Sequence, residues 1–265
     1  MEIHAIRTRI IKPRENLVDI LLESMEEQSL KLKPRDIIIV AETIMATSQG
    51  RIICLDDVTG ISDKVKKIAN KYEMDERIVK IVIDEAEEIL GGVYHVLLTR
   101  AQGLLLANAG VDSSNSGGSS NVVLLPADIW GCIREFRSSL EKKTGIKPIG
   151  AILADSRVQP LKKGVIGGAL SVSGFKPIED KRGIRDIFGR PLEITQLAVA
   201  DDLTSAAEIL MGEANEQTPF VLIRDAPVTF VPDSEIDETS MLMPIDECLF
   251  MNVFKDYKKE ELFEK

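Results

Sequence analysis

The chain has 265 residues, of which 44% are hydrophobic and 29% charged, and its formal net charge is −10. This length can bury a sizeable core, as one large domain or two interlocked lobes. The negative charge disfavours broad nucleic-acid binding, because phosphate backbones need a basic surface. No apolar run approaches the roughly 20 residues that span a bilayer, and residues 1–12 lack the long apolar core of a signal peptide. We therefore expect a cytoplasmic protein with no nucleic-acid or membrane partner.

Cysteine and histidine are scarce in this chain. The cysteines Cys54, Cys132 and Cys248 lie far apart and form no CxxC pair, which argues against a zinc ribbon and against a disulfide framework. With only His4 and His95, a His-rich metal site or a Ser-His-Asp triad is also disfavoured. Any metal would be held by carboxylates, which favours Mg²⁺ or Mn²⁺ over zinc.

The hydrophobic patterns predict helices alternating with short buried strands, as in an α/β protein. The continuous apolar run at 37–41 fits a strand buried on both faces. A Gly-rich stretch at 164–174 and a basic loop at 181–190 lie between predicted elements. Helices are predicted at 15–28, 62–72, 75–90, 128–143, 201–211 and 256–265, and strands at 37–41, 93–98, 103–107, 149–153, 193–200 and 220–223.

The segment 108–121 is dense in Asn, Ser and Gly and lies between two apolar runs. A linker between independent domains would have a similar composition. The alternative is a functional loop at the ends of two strands, where small residues let backbone N–H groups approach a phosphate. Both interpretations are open from composition alone.

Three acidic residues stand beside small residues at the ends of predicted elements. Asp112 lies in the 108–121 loop, Asp155 just past a buried strand and Glu213 just past a helix. Phosphoryl-transfer sites need such oxygen ligands to hold Mg²⁺ or Mn²⁺. Taken singly, each acid is better explained as a turn cap, a strand end or a solvated helix end, and spacing does not show that they converge. The chain has neither a GxxxxGK[ST] P-loop nor a GxGxxG motif.

Several stretches, taken together and in order, resemble the coenzyme F420-0:L-glutamate ligase (gamma-glutamyl ligase) family. The resemblance covers roughly 8–225, within a 1–225 region, and leaves 226–265 as a C-terminal extension of unknown role. The stretches are Ile10-Ile11-Lys12-Pro13, Ala41 to Arg51, Asn108 to Asn115, Arg182-Gly183-Ile184-Arg185-Asp186, Phe188 to Glu193, Ala198-Val199-Ala200-Asp201 and Met211-Gly212-Glu213-Ala214.

The resemblance implies a ligase that joins L-glutamate to a carboxylate of coenzyme F420-0 or a related phosphorylated acid. GTP would be the co-substrate, and the course would run through an acyl phosphate. Two divalent metals, Mg²⁺ or Mn²⁺, would be required, with K⁺ as a further candidate cofactor. The implied fold is a mixed α/β architecture of two interlocked lobes with mixed sheets, forming an intertwined homodimer.

The resemblance also assigns roles to particular positions, and no protein nucleophile is among them. The implied metal ligands are Asp112, Asp155, Ser156 and Glu213. The implied nucleotide-contacting positions are Ile11, Lys12, Pro13, Glu42, Thr43, Thr47, Asn115, Met211, Gly212, Ala214 and Asn215.

The chain departs from the family pattern at three places. The family usually has Gln-Lys where this chain has Glu42-Thr43, Ser-Lys where it has Ala46-Thr47, and Phe-Gly-Arg-Pro-Trp-Arg at 157–162. Losing two lysines and gaining an acid weakens the attraction for a triphosphate. Besides a ligase, two hypotheses stay open: a non-catalytic or repurposed nucleotide- or cofactor-binding relative, and a scaffold in which the three acids never converge. The acceptor acid, GTP against ATP, and the number of glutamates added also stay open.

Overall fold

A computed structural model describes residues 1–254, which contain twelve strands and seven α-helices. The strands are β1 (Glu2–Ile6), β2 (Ile37–Ala41), β3 (Ile52–Cys54), β4 (Glu88–Val93), β5 (Val96–Ala101), β6 (Leu104–Ala107), β7 (Asn121–Val123), β8 (Gly150–Val158), β9 (Val165–Ser173), β10 (Glu179–Asp180), β11 (Gln196–Leu197) and β12 (Phe220–Arg224). The helices are α1 (Leu17–Glu27), α2 (Glu42–Ser48), α3 (Asp63–Tyr72), α4 (Glu76–Glu85), α5 (Ile129–Thr144), α6 (Val199–Met211) and α7 (Leu249–Phe254). Helices combined with parallel and antiparallel strand pairs confirm the predicted mixed α/β class. The helix predicted at 256–265 lies outside the described residues.

The chain divides into two compact units. The first unit comprises Met1–Ile11, Glu15–Ile44 and Ile129–Met241. The second comprises Lys12–Arg14, Met45–Asp128 and the described residues from Leu242 on. Across residues 1–254, every helix is too short or too polar to span a bilayer.

A five-stranded sheet forms the centre of the first unit, in the order β1-β12-β2-β8-β9. Only β2 and β8 pair in parallel, and the other neighbours are antiparallel. The side chains of Ile37 to Val40 are fully buried, which is why this strand reads as a continuous apolar run. Helix α1 begins where the carboxamide oxygen of Asn16 accepts hydrogen bonds from the backbone N–H groups of Val18 and Asp19.

Strand β8 is longer than the strand predicted at 149–153, and it forms a hairpin with β9. Strand β8 continues from the predicted end at 153 to Val158, so Asp155 lies within the strand and not past it. The Gly-rich stretch 164–174 is not a loop, because β9 occupies Val165–Ser173. Glycine is unfavourable in strands, so a glycine-rich sequence does not indicate a strand. In β9, however, Gly167 and Gly168 permit the close approach of α6 and of the Arg157 side chain.

The segment between β9 and α6 is mostly irregular. The strand predicted at 193–200 is wrong, since only Gln196–Leu197 is extended and paired, and α6 already begins at Val199. Residues 181–195 form an arm that projects between β10 and β11. An isolated bridge between Arg185 and Pro191 closes its tip.

Residues 226–241 belong to the first unit, although the family resemblance ends at 225. The carboxylate of Asp233 accepts hydrogen bonds from the Arg137 guanidinium (2.7 Å), the Ser173 hydroxyl (2.8 Å) and the Gly174 N–H (3.0 Å). Ile236, three residues after Asp233, is buried. This part of the extension is therefore packed into the fold.

The second unit contains a three-stranded sheet, β4-β5-β6, and a two-stranded sheet, β3-β7. The helix predicted at 75–90 ends at Glu85, and β4 begins at Glu88. The strand predicted at 93–98 is shifted to 96–101, so Arg100 lies inside β5. The Arg51 guanidinium ties α4 to the chain before α5, with hydrogen bonds to Glu85 (2.6 Å) and to the Leu125 carbonyl (3.0 Å).

Candidate functional site

The carboxyl ends of β2 and β8 lie side by side in the first unit. Their last parallel pair is Ala41 with Ala154. Beyond this pair β2 passes into α2 at Glu42, whereas β8 continues through Asp155 and Ser156, paired with β9. Ligands of α/β proteins collect at the carboxyl ends of strands. Three predicted site residues, Glu42, Asp155 and Ser156, follow directly after this pair.

Helix α6 packs closely on β9 at Gly167. A Cβ atom at this position would lie 2.5 Å from the Thr204 carbonyl oxygen and 2.9 Å from the Cβ atom of Glu208. Gly167 is the cross-strand partner of Ser156, and directly opposed residues point to the same face of a sheet. The side chain of Ser156 therefore faces the side on which Glu208 lies.

Three carboxyl groups interact on this side of the first unit. The pKa of Glu208 is raised from 4.5 to about 8, first by burial, then by a hydrogen bond with Glu213 and by the negative charges of Glu213 and Glu42. Glu42 is itself buried, and its carboxylate accepts a hydrogen bond from the Thr43 hydroxyl at 2.5 Å. Since like charges at close range disfavour ionisation, Glu213 and Glu42 oppose the ionisation of Glu208. Below we call Glu42, Glu208 and Glu213 the carboxylate cluster.

The run 211–215 forms the turn that carries Glu213. Gly212 ends α6 with a φ of 70°, a conformation that glycine adopts without strain. A Cβ atom on Gly212 would lie 2.3 Å from the carboxyl carbon of Glu216. The same Glu216 carboxylate accepts a hydrogen bond of 2.9 Å from the Ala214 N–H. Glycine at 212 thus lets the chain fold back tightly, with Glu213 beside Glu208.

Asp155 points to the other face of β8, because adjacent strand residues alternate. Its cross-strand partner is Gly168. The side chain of Arg157 folds over Gly168, where an added Cβ atom would lie 2.7 Å from the Arg157 Cδ atom. The guanidinium then reaches Asp201 on α6 at 3.2 Å. The side chain of Arg157, which is paired with Asp201, therefore leaves β8 on the same face of the sheet as Asp155.

The loop around Asp112 is ordered and lies wholly in the second unit. Backbone hydrogen bonds join Asp112 and Val123 in both directions, at 2.9 and 2.8 Å. The Asp112 carboxylate accepts hydrogen bonds from the N–H and hydroxyl groups of Ser114, and Asn115 has a φ of 49°. Because both ends of 108–121 belong to one unit, the linker interpretation is wrong.

The other predicted nucleotide positions divide between the units. Ile11 ends the first stretch of the first unit, and Lys12 and Pro13 begin the second unit. In the second unit, the Arg14 N–H donates to the Ser48 carbonyl at 3.1 Å, which places the 12–14 stretch against the end of α2 that contains Thr47. Within the first unit, the described contacts bring together Glu42, Thr43 and the 211–215 turn.

The donor chemistry of the first unit suits a hard cation. Within residues 1–254 no group of three or more His, Cys, Asp or Glu side chains has the arrangement of a complete metal centre. The groups that do interact, Glu208 and Glu213 with Glu42, offer only oxygen donors, which favour Mg²⁺ or Mn²⁺. A nearby divalent cation would also offset the negative charges of Glu213 and Glu42, which add to burial in raising the pKa of Glu208. The donor type, carboxylate oxygen, therefore matches such an ion.

Glu208 was not among the residues predicted for the site. A glutamate within an amphipathic helix resembles a solvated residue. The residues of α6 give no local sign that Glu208 interacts with Glu213, which follows the helix. Its place depends on Gly167, 41 positions earlier in the chain, which lets α6 approach β9. Such a tertiary contact has no local pattern in the sequence.

Comparisons with known proteins assign the chain to a family. The model of the family described as F420-0:Gamma-glutamyl ligase matches residues 5–225. A coenzyme F420:L-glutamate ligase of Methanopyrus kandleri is 36% identical over 217 residues, covering 82% of this chain and 83% of the relative. The enzyme of the same name from Methanocaldococcus jannaschii is 36% identical over 82% of this chain and 85% of its own, and that of Methanosarcina mazei is 33% identical over 87% of both. The resemblance inferred from the motifs is thereby confirmed, and the chain belongs to the F420-0:gamma-glutamyl ligase family.

Proposed function

We propose that this protein is a GTP- and divalent-metal-dependent ligase. It joins the amine of L-glutamate to a carboxylate of F420-0, or of a related phosphorylated acid. Membership of the family supports the ligase class. The observation that carries the metal dependence is the carboxylate cluster on the Ser156 side of the sheet, in which burial and then the neighbouring Glu213 and Glu42 raise the pKa of Glu208 to about 8.

The proposed reaction has two steps. The γ-phosphoryl group of GTP passes to a carboxylate oxygen of the acid, which gives an acyl phosphate and GDP. The glutamate amine then attacks the acyl carbon, a C–N bond forms, the C–O bond to phosphate breaks, and inorganic phosphate leaves. The amine must lose a proton as it attacks. Glu208 is the proposed acceptor at a carboxylate oxygen, because its carboxyl group lies beside the proposed metal ligand Glu213 and a carboxylate can act as a general base.

The proposed metal ligands on the side of the carboxylate cluster are Ser156 and Glu213, and the family resemblance adds Asp155, on the other face of β8, and Asp112 in the second unit. Bound divalent ions would neutralise charge on the transferring phosphoryl group. The three groups that interact in the carboxylate cluster are all acidic. An anionic nucleotide therefore needs metal ions to approach this cluster.

The test is a ligation assay with the purified full-length chain. GTP, Mn²⁺ or Mg²⁺, L-glutamate and F420-0 are mixed, and GDP, phosphate and the mass of the product are measured. We expect Glu213→Gln and Asp112→Asn to lose most of the activity and also the GTP-dependent rise of the thermal midpoint in Mn²⁺. Glu27→Gln, an exposed change on α1, serves as the control. No phosphate release in the presence of all components would refute the proposal.

A second candidate function is a nucleotide-binding relative without ligase activity. The observation that favours it is the buried acid at Glu42, next to Thr43, where the family usually has Gln-Lys. An acid there weakens the attraction for a triphosphate. GTP binding in millimolar Mg²⁺ without turnover would support this candidate. The same thermal-shift series with ATP and GDP identifies the preferred nucleotide.

We also propose a homodimer, formed through the arm at 181–195. Ile187, Phe188 and Ile194 are 93%, 84% and 87% exposed on this arm, and contiguous exposed apolar side chains mark interaction sites. A second copy of the chain is the proposed occupant. Ile187→Ser with Phe188→Ser should shift the sedimentation coefficient to that of a monomer, whereas Met243→Ser, an exposed apolar change elsewhere, should not. A wild-type monomer at micromolar concentration would refute this part.

A further inference from the structure

The β8–β9 hairpin extends beyond the rest of the sheet. Strand β2 pairs with β8 only as far as Ala154, whereas β8 and β9 remain paired to Val158 and Val165. Residues 157–165, which we call the hairpin end, are therefore a two-stranded ribbon closed by a short turn. In that turn the Lys162 N–H donates to the Gln159 carbonyl at 3.3 Å.

One face of the hairpin end carries an exposed apolar pair. Val158 and Val165 are cross-strand partners, and they are 61% and 43% exposed. They lie two residues beyond the Ser156–Gly167 pair on each strand, so all four positions point to the same face. The apolar pair therefore stands about 7 Å along the strand from Ser156, on the side of the sheet where Glu208 lies.

The charge of the hairpin end is opposite to that of the whole protein. It contains Arg157, Lys162 and Lys163 and no acidic residue, in a chain of net charge −10. Arg157 is paired with Asp201 at 3.2 Å. Lys162 and Lys163 are exposed, and within residues 1–254 neither forms an ion pair. Two uncompensated cations thus stand beyond Ser156.

The carboxylate cluster lies on the same side of the sheet as the apolar pair of the hairpin end. An acid substrate that approaches Ser156 meets the negative charges of Glu42 and Glu213, which lie close to Glu208. Exposed lysines at the end of the same hairpin carry the opposite charge, and their attraction for an anion weakens beyond a Debye length of about 8 Å in physiological salt. The apolar pair between the lysines and Ser156 would contact an apolar part of the same molecule.

We propose that the hairpin end binds the acid substrate, an anionic carboxylic acid with an apolar body. Lys162 and Lys163 attract its negative charge, Val158 and Val165 contact its apolar part, and its reacting carboxylate is directed toward Ser156. This inference rests on the proposed function for the identity of the acid, and it deepens that function by naming the element that selects this substrate. The nucleotide and L-glutamate do not use the hairpin end.

The experiment measures F420-0 binding by equilibrium dialysis and KM for each substrate, with the full-length chain. The variants are K162Q/K163Q and V158S/V165S, and the control is K66Q/K67Q, which removes two consecutive exposed lysines from α3. We expect K162Q/K163Q to raise the Kd and the KM for F420-0 about fivefold, as two partly screened charge contacts allow. Their dependence on salt should also become weaker. The KM values for GTP and L-glutamate should stay unchanged, and so should every constant of the control.

V158S/V165S should weaken F420-0 binding about tenfold without altering its salt dependence, because apolar contact is lost while charge is kept. Unchanged Kd in both variants, or an equal rise for all three substrates, would overturn the inference. So would a change of oligomeric state in place of a change in Kd, since the hairpin end would then contact a second copy. Absence of F420-0 binding by the wild type would overturn it too. Binding without turnover refutes the proposed function alone, because dialysis still tests the hairpin end.

Discussion

Replacing Glu208 with glutamine tests the electrostatics of the carboxylate cluster through protein stability. Its carboxyl group is held close to Glu213 and Glu42, and its pKa is raised from 4.5 to about 8. Glutamine has nearly the same shape, cannot ionise and keeps a donor for the Glu213 carboxylate. The variant therefore removes the titration and little else.

The sign of the effect follows from proton linkage. The folded state binds the proton of Glu208 more tightly than the unfolded chain does, so protonation stabilises the fold. This contribution is fully present below pH 4.5, declines as the pH rises and is lost above about pH 8. The shift corresponds to nearly 5 kcal/mol, at about 1.4 kcal/mol for each tenfold change in proton affinity. Because Glu208 is only half-buried, solvent screening reduces the expectation to about 2 kcal/mol.

The assay is urea denaturation between pH 5 and pH 9, without divalent cations. The free energy of unfolding of the wild type should fall by about 2 kcal/mol more than that of E208Q across this range. Adding millimolar Mg²⁺ should reduce the difference, since a cation offsets the charge of the cluster. Glu27→Gln, an exposed change on α1, should parallel the wild type. If E208Q parallels the wild type as well, the cluster does not carry uncompensated charge.

Three further predictions concern stability and are measured by denaturant unfolding at neutral pH. Gly167→Ala should cost about 1–3 kcal/mol, because the new methyl group would lie 2.5 Å from a carbonyl oxygen of α6; an unchanged midpoint would contradict the close packing. Asp233→Ala should cost about 2–4 kcal/mol, since the half-buried Arg137 guanidinium loses a partner at 2.7 Å; a loss below about 1 kcal/mol would mean that residues 226–241 are not held by this contact. Arg224→Met should cost about 3–5 kcal/mol, as it leaves the Asp36 carboxylate, 1% exposed, without its two guanidinium hydrogen bonds; a neutral effect would show that the pair is dispensable.

The elements that were predicted best from the sequence are those whose structure is indicated by a pattern of neighbouring residues. The run at 37–41 is strand β2, and its side chains are buried on both faces. The helix predicted at 15–28 differs from α1 only at its ends, because Asn16 supplies the cap. In both cases the local pattern and the tertiary environment favour the same structure.

The errors arise where tertiary packing overrides local preference. Strand β9 was hidden because Gly167 and Gly168 are unfavourable in strands, yet both positions admit a neighbouring group that a Cβ atom would exclude. The predicted helix at 75–90 overran into β4 because Glu87 and Glu88 suit a helix, while pairing with β5 determines their conformation. Neither the packing at Gly167 and Gly168 nor the pairing of β4 with β5 can be predicted from local propensity.

The candidate site was predicted in part. Asp155, Ser156 and Glu213 were identified by resemblance, and the structure adds Glu208 as the residue that interacts with Glu213. The exposed pair at Val158 and Val165 was also beyond prediction, since it depends on the register of β8 against a strand that had not been recognised. Register, not composition, decides which side chains share that face.

The discontinuous first unit has a consequence for synthesis on the ribosome. The central strand β2 is complete early, but its parallel neighbour β8 lies about 110 residues later in the chain, and its other neighbour β12 comes later still. At 5–20 residues per second, an apolar segment that is fully buried in the native protein waits roughly 5–20 s for its first partner. A nascent chain of this family therefore presents one of its most aggregation-prone segments well before it can be paired. Chaperone dependence during expression should accordingly map to 37–40, and a slower rate of translation should make it worse.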